Sequence, residues 1–213
     1  MQQLKFDRIK RILCVGAHSD DIEIGCGGTL LTLFRNYQNL EVRWVVFSAE
    51  GVRSGEARRS AQEWLRPAAR RQIAVKSFKT SFFPYDGARI KAAFEALKPF
   101  KPDLVFTHYR DDRHQDHRVL SDLAWNTFRD HLILEYEIPK YDGDLGVPNV
   151  FVPLDDQIAR DKADHICKHF RTQGNKHWFD EDTFLSLMRL RGMECATGTK
   201  YAEAFYGRKV VVG

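Results

Sequence analysis

The sequence predicts an α/β protein, a Rossmann-like three-layer sandwich with a mostly parallel sheet. Three observations predict it. Short apolar runs recur, such as Ile12-Leu13-Cys14-Val15 and Leu104-Val105-Phe106, and strands buried on both faces read this way. Longer segments between them carry apolar residues at helical spacing. The resulting strand–helix–strand alternation calls for right-handed crossovers with helices on both faces of the sheet.

Each element has its own signal. Residues 11–16 read as the first buried strand. Residues 23–37 read as the first helix, with Leu30, Leu31, Leu33, Phe34 and Tyr37 among its apolar positions. The run 42–48 (VRWVVFS) reads as a second strand. Ser54 is expected to cap a helix running to about Arg71, with Glu56 in its first turn. Residues 73–79 are strand-like, and 88–97 form a helix that must stop near Pro99. Residues 104–107 (LVFT) are a buried strand. A helix follows from about Asp116, with Leu120, Leu123, Ala124, Thr127 and Phe128 on one face. Residues 132–137 and 150–153 read as strands, and helices are expected near 155–169 and 181–191. A last strand over about 203–211 closes the chain.

Composition narrows the class. A chain of 213 residues, 43% apolar and 12% aromatic, fits one domain over 1–213 with a substantial core. The N-terminal MQQLKFDRIK lacks an apolar signal-peptide core, and no apolar run approaches a membrane span. The expectation is therefore a soluble, cytoplasmic protein with no membrane partner. The cysteines at 14, 26, 167 and 195 show no C-x-x-C spacing and read as reduced thiols. The net charge of +4 reads as a solvated surface, with a preference for anionic substrates as the alternative. Arg59, Arg66 and Arg70 share a helical face without interleaved aromatics, so no nucleic-acid partner is expected. A homo-oligomer stays open.

Function is written at two strand ends. "VGAHSDDIEIGCGGTL" places His18, Ser19, Asp20 and Asp21 just past the first strand. "THYRDDRHQDHRVL" places His108, Asp111, Asp112, His114, Asp116 and His117 past the 104–107 strand. Ligands of parallel sheets bind at such carboxyl ends. Buried charges need partners, and His18/Asp21 and His114/His117 are each spaced i, i+3, so their side chains share a direction. Facing pairs of this kind offer imidazole and carboxylate ligands to one divalent ion with an open position, a catalytic zinc pattern. Neither cluster is specific alone; their co-occurrence at two strand ends is a much stronger signal. Gly16, Gly25, Gly27 and Gly28 do not spell G-x-G-x-x-G, and two carboxylates sit where a pyrophosphate would bind, which argues against a dinucleotide. The glycines either let the helix pack close to the sheet or keep a metal mouth open.

"AHSDDIEIGCGGTL" resembles the A-H-P-D-D-x-E-x-G-x-G-G-T-L signature of the LmbE-like (PIG-L) deacetylases. "HQDHRV" resembles their second signature, H-P-D-H-R. A weaker echo, "YAEAFYGRK" at 201–209, resembles their C-terminal A-E-A-F segment. The resemblance implies zinc-dependent removal of the acetyl group from an N-acetylated amino sugar, releasing acetate and a free amine. By motif position it implies His18, Asp21 and His117 as zinc ligands and Asp20 as general base. His114 is implied to stabilise the oxyanion or protonate the leaving amine, and Asp116 to tune a neighbouring imidazole. Ser19 and Gln115 replace the usual prolines, which puts loop rigidity, not chemistry, in question.

Weaker candidates complete the reading. Arg53 follows the second strand and is a candidate for a substrate hydroxyl or phosphate. Asp86 is a candidate sugar contact, with a turn role beside Gly87 as the alternative. His108 is a candidate supporting residue. Glu23 is either a helix-start charge or a partner of the ligands. Trp178, in "QGNKHWFDEDTF", reads as core with sugar stacking as the alternative. The other function classes are a metal-dependent hydrolase of another ester or amide, such as a two-metal phosphoesterase, and a non-catalytic metal-binding module. The expected partner is a soluble N-acetylhexosamine conjugate.

Overall fold

A computed structural model describes residues 3, 5, 6 and 8–211. Residues 1, 2, 4 and 7 of the N-terminal decapeptide, and the last two residues of the 1–213 span, lie outside the described residues. The strands are β1 (Arg11–Gly16), β2 (Glu41–Val46), β3 (Arg70–Val75), β4 (Leu104–His108), β5 (Leu132–Tyr136), β6 (Val150–Leu154) and β7 (Tyr201–Gly207). The helices are α1 (Asp21–Asn36), α2 (Gly51–Trp64), α3 (Gly87–Glu95), α4 (Gln115–Thr127), α5 (Asp156–His169) and α6 (Glu181–Cys195). The strands form one seven-stranded sheet in the order β3-β2-β1-β4-β5-β7-β6. The first five in that order run parallel, and β7 is antiparallel to both β5 and β6. The expected three-layer α/β architecture is thus the one observed.

Alternation along the strands builds the two apolar layers. Ile12 and Cys14 of β1 face one core with Ile22 and Leu30 of α1, Ala61 and Trp64 of α2 and Ile166 of α5. Leu13 and Val15 face the other, with Ile90 and Phe94 of α3 and Leu120 and Ala124 of α4. Trp44, Phe47 and Phe106 are fully buried, each contributing about 1.5–3 kcal/mol of hydrophobic stabilisation. No helix among the described residues is long and apolar enough to cross a membrane.

Several boundaries differ from the sequence reading. α2 stops at Trp64, not Arg71; Pro67 cannot continue a helix, and Arg70–Val75 then pairs with β2 instead. Ser54 lies inside α2, whose N-cap is Glu50 without a side-chain bond. The last strand begins at Tyr201, because 201–207 is what reaches across to β5 and β6.

α1 is broken at Cys26, whose backbone is not helical (φ −142°, ψ 15°). Close packing explains the glycines around it. A Cβ on Gly25 would lie 2.2 Å from the Tyr136 ring, and one on Gly28 2.7 Å from Leu154. The close-packing reading of the G-C-G-G run is the one the structure carries. The break frees backbone groups, and a buried ion pair takes them up. Glu203 accepts from Gly28 N–H (2.8 Å) and Thr29 N–H (2.6 Å). Lys162 donates to Ile24 O and to Glu203 Oε1, both at 2.6 Å.

Candidate metal centre and active site

Strand order reverses between β1 and β4, since the chain moves outward from β1 to β2 on one side and from β4 to β5 on the other. Parallel sheets open a crevice at such a switch point. Both motifs lie at its rim. Ala17 N–H donates to His108 Nε2 (2.9 Å) and ties the ends of the two strands together.

Three donor atoms converge there. His18 Nδ1 and His117 Nε2 are 3.2 Å apart, His18 Nδ1 and Asp21 Oδ2 are 3.4 Å apart, and His117 Nε2 and Asp21 Oδ2 are 3.6 Å apart. Ligands about 2.0–2.1 Å from a shared tetrahedral ion sit roughly 3.3–3.4 Å from one another. Each imidazole is held by its other nitrogen. His18 Nε2 lies 3.2 Å from Asp116 Oδ2 and His117 Nδ1 lies 2.9 Å from Asp112 Oδ2. A carboxylate at those nitrogens places the hydrogens on them. Two lone pairs and a carboxylate oxygen then face one another, an arrangement that a cation stabilises. The residues present fit a divalent metal with N, N, O ligation.

Two other triples share His117, namely His18, His114, His117 and Asp21, His108, His117. His114 and His108 each have one nitrogen committed elsewhere. His114 is the N-cap of α4, and its Nδ1 accepts from Asp116 N–H at 3.2 Å. This leaves the hydrogen on Nε2. His108 Nε2 accepts from Ala17 N–H, and its Nδ1 is buried without a partner. The rings nest together: His108 stacks on His117 at 3.9 Å, His117 on His114 at 4.6 Å, and His18 meets His114 edge-on at 4.7 Å.

The electrostatics follow from burial and charge. Burial opposes a charge on His18, but the carboxylates of Asp21 and Asp116 overcome it and raise the group to about 9. Burial also opposes the charge on Asp21, and the surrounding imidazoles hold it well below the usual range all the same. Burial, then the His108 ring, pushes His117 down to about 3. Asp20 is buried, and that burial together with the neighbouring Asp21 raises its carboxyl, opposed by Arg53, His18 and Lys176. Burial, and then the neighbouring His18, lower His114.

The two missing prolines are replaced by hydrogen bonds. The Gln115 amide donates to Ser81 O. Ser19 Oγ donates to Asp20 Oδ1 (3.3 Å) and accepts from Arg53 Nη2 (3.3 Å). Asp116 also accepts from Ser81 N–H (2.6 Å) and Phe83 N–H (3.2 Å), fixing the 81–83 loop against the site.

The structure brings His18, Asp20, Asp21, His114, Asp116, His117, His108 and Arg53 to one place. It puts Asp86 at the start of α3, where Arg89 engages its carboxylate at 2.8 Å, in keeping with the turn reading. Glu23 is buried and accepts from Ser60, and burial raises it to about 8. Trp178 packs against the core beside Phe179. The sequence reading gives Asp112 no role of its own. In the fold it holds His117, accepts from His114 N–H (2.7 Å) and pairs with Lys140 (3.0 Å). Its position two residues before His114 is the signal that could have found it.

Residues 13–128 match the family model described as PIG-L, GlcNAc-PI de-N-acetylase. Solved structures share the fold. An N,N'-diacetylchitobiose deacetylase from Pyrococcus horikoshii aligns at 21% identity and TM-score 0.73, covering 95% of this chain and 85% of that one. The conserved protein TT1542 from Thermus thermophilus aligns at 19% identity and TM-score 0.74, covering 97% of each. A 4-carboxy-2-hydroxymuconate hydratase from Pseudomonas putida aligns at 16% identity and TM-score 0.68, covering 96% of this chain and 98% of that one.

Proposed function

This chain belongs to the PIG-L, GlcNAc-PI de-N-acetylase, family, and from that premise we propose that it is a zinc-dependent hydrolase of N-acetylated amino sugars. The observation that carries the reading is the convergence of His18 Nδ1, Asp21 Oδ2 and His117 Nε2 beside Asp20 and His114. His18, Asp21 and His117 are the zinc ligands in this reading. Bound there, zinc supplies Lewis acidity, acidifying a water and polarising the acetyl carbonyl.

The chain's own groups do the rest. Asp20 takes a proton from the attacking water onto its carboxylate and returns it to the departing nitrogen. The amide C–N bond breaks, the water oxygen ends in acetate, and the sugar leaves as the free amine. His114 donates its Nε2 hydrogen to the carbonyl oxygen as negative charge builds; its Nδ1 bond to Asp116 N–H supports that tautomer. Asp116 and Asp112 orient His18 and His117 through the ring nitrogens opposite the ligating ones. Arg53 holds a substrate hydroxyl or phosphate, a role supported by its place beside the motif, where its Nη2 donates to Ser19 Oγ.

Acetate release from a panel of soluble N-acetylhexosamine conjugates, with and without a zinc chelator, tests the proposal. Chelator-sensitive acetate release is expected from at least one class. A zinc-loaded protein that releases acetate from none of them, or that instead hydrates a carbon–carbon double bond like the Pseudomonas putida neighbour, refutes it.

A further inference from the structure

A second group of ligating side chains lies away from the crevice, where α2 crosses α5. His165 and His169 are spaced i, i+4 on α5, so they share a face. Glu63, next to last in α2, meets them. One ligand atom from each of Glu63, His165 and His169 lies within 4.8 Å of the other two. Glu63 Oε2 is 3.2 Å from His169 Nε2, and the two imidazole rings are 4.2 Å apart. α2 begins at the carboxyl edge of the sheet and runs away from it. Glu63 therefore sits about 18 Å along the helix axis from that edge.

The setting is more ordered than a chance surface cluster. His165 is buried, lies 4.3 Å from the Trp64 ring and is 2.9 Å from Ser60 Oγ at Nε2. His169 and Glu63 border a cavity of about 540 Å³ that opens to solvent and leaves room for water ligands. The surrounding charge selects the kind of ion. Lys168 pairs with Glu63 Oε1 at 3.1 Å, and Arg59, Arg66 and Arg71 line the same cavity. Those cations disfavour a hard ion held by charge, such as magnesium or calcium. Imidazole coordination does not depend on that field to the same degree and suits zinc, nickel and copper.

We propose that Glu63, His165 and His169 form a second divalent-cation site, selective for imidazole-preferring ions, that clamps α2 to α5. Nothing in it depends on the catalytic reading of the crevice.

Equilibrium dialysis of the full chain against zinc alone, followed by metal counting, tests it. The parent is expected to hold two ions per chain. His169→Gln is expected to hold one and to keep its acetate-releasing activity. Asp21→Asn is expected to hold one, lost again when His169→Gln is added. Zinc should raise the melting temperature of Asp21→Asn but not of the double variant, and magnesium should raise neither. Glu63→Gln serves as a second probe should His169→Gln fail to fold. Two ions retained in both His169→Gln and Glu63→Gln overturn the proposal. So does a single parental ion that vanishes in Asp21→Asn and persists in His169→Gln. A single parental ion with the opposite pattern upholds this site and refutes the crevice as a zinc site.

Discussion

Asp112→Asn should weaken zinc binding without removing a zinc ligand, and the geometry says why. The Asp112 carboxylate accepts from His114 N–H at 2.7 Å and from His117 Nδ1 at 2.9 Å, and it forms an ion pair with Lys140 at 3.0 Å. An amide can accept on one side only. If its oxygen stays with His114 N–H, its NH₂ faces His117 Nδ1. That nitrogen must then become an acceptor, and the hydrogen moves to Nε2, the atom meant for the metal. If the amide flips, its NH₂ meets His114 N–H, and a largely buried donor goes unpaired at a cost of about 1–3 kcal/mol. Either outcome costs zinc affinity, by about 10–100-fold as for other partners of ligating histidines. That is roughly 1.4–2.8 kcal/mol. Competition with a chelating dye measures the affinity, and kinetics at saturating zinc should recover most of the parental rate. Zinc affinity within about twofold of the parent would show that Asp112 does not set the His117 tautomer, and the reasoning would fall.

Three further outcomes are expected. His114→Ala should keep its zinc and lose roughly 10²–10³ in kcat, the worth of one oxyanion donor; a rate within a few-fold of the parent assigns His114 to capping α4 alone. Asp20→Asn should lose about 10²–10⁴ in kcat with zinc content unchanged, whereas Asp21→Asn should lose the zinc of the crevice. Metal counting on the two side by side would expose a reversed assignment. Glu203→Gln leaves the buried Lys162 ammonium without its counter-charge and should cost about 3–5 kcal/mol. In a domain of this size that lowers the melting temperature by about 6–20 °C. Adding Lys162→Met should restore part of the loss, and a calorimetric shift below about 3 °C for Glu203→Gln would contradict the account.

What the sequence made legible and what it hid divide along a physical line. His18, Asp20, Asp21, His114 and His117 were readable because their relations are local: i, i+3 spacings past two apolar strands. Bringing the two loops to one edge then needed only that both strands be central in the sheet, as they are. α2 overran its end in the reading although Pro67 was a signal in plain view; boundaries set by a single residue are easily outvoted by a periodic run. The contacts of Asp112 with Lys140, and of Asp116 with Ser81, could not be read, because each joins loops that are far apart in the sequence and meet only once the sheet is assembled.

The broken helix is the clearest case of a local pattern with a distant cause. G-C-G-G announces close packing but not what it packs on. Tyr136 fills the space beside Gly25, and its hydroxyl donates to Val15 O at 2.6 Å, the carbonyl just before the His-Asp motif. Glu203, 175 residues away from Gly28, then accepts the backbone donors that the break exposes. "YAEAFYG" at the other end of the chain therefore supports α1 just past its break, and through Lys162, which bonds both Glu203 and Ile24 O, it reaches the turn that carries Asp21. The two segments look unrelated until β7 inserts beside β5. In physical terms the C-terminal strand belongs to the active site without touching it. It holds the helix whose start presents the carboxylates, and its glutamate is there because a helix broken by close packing leaves polar groups that something buried must accept.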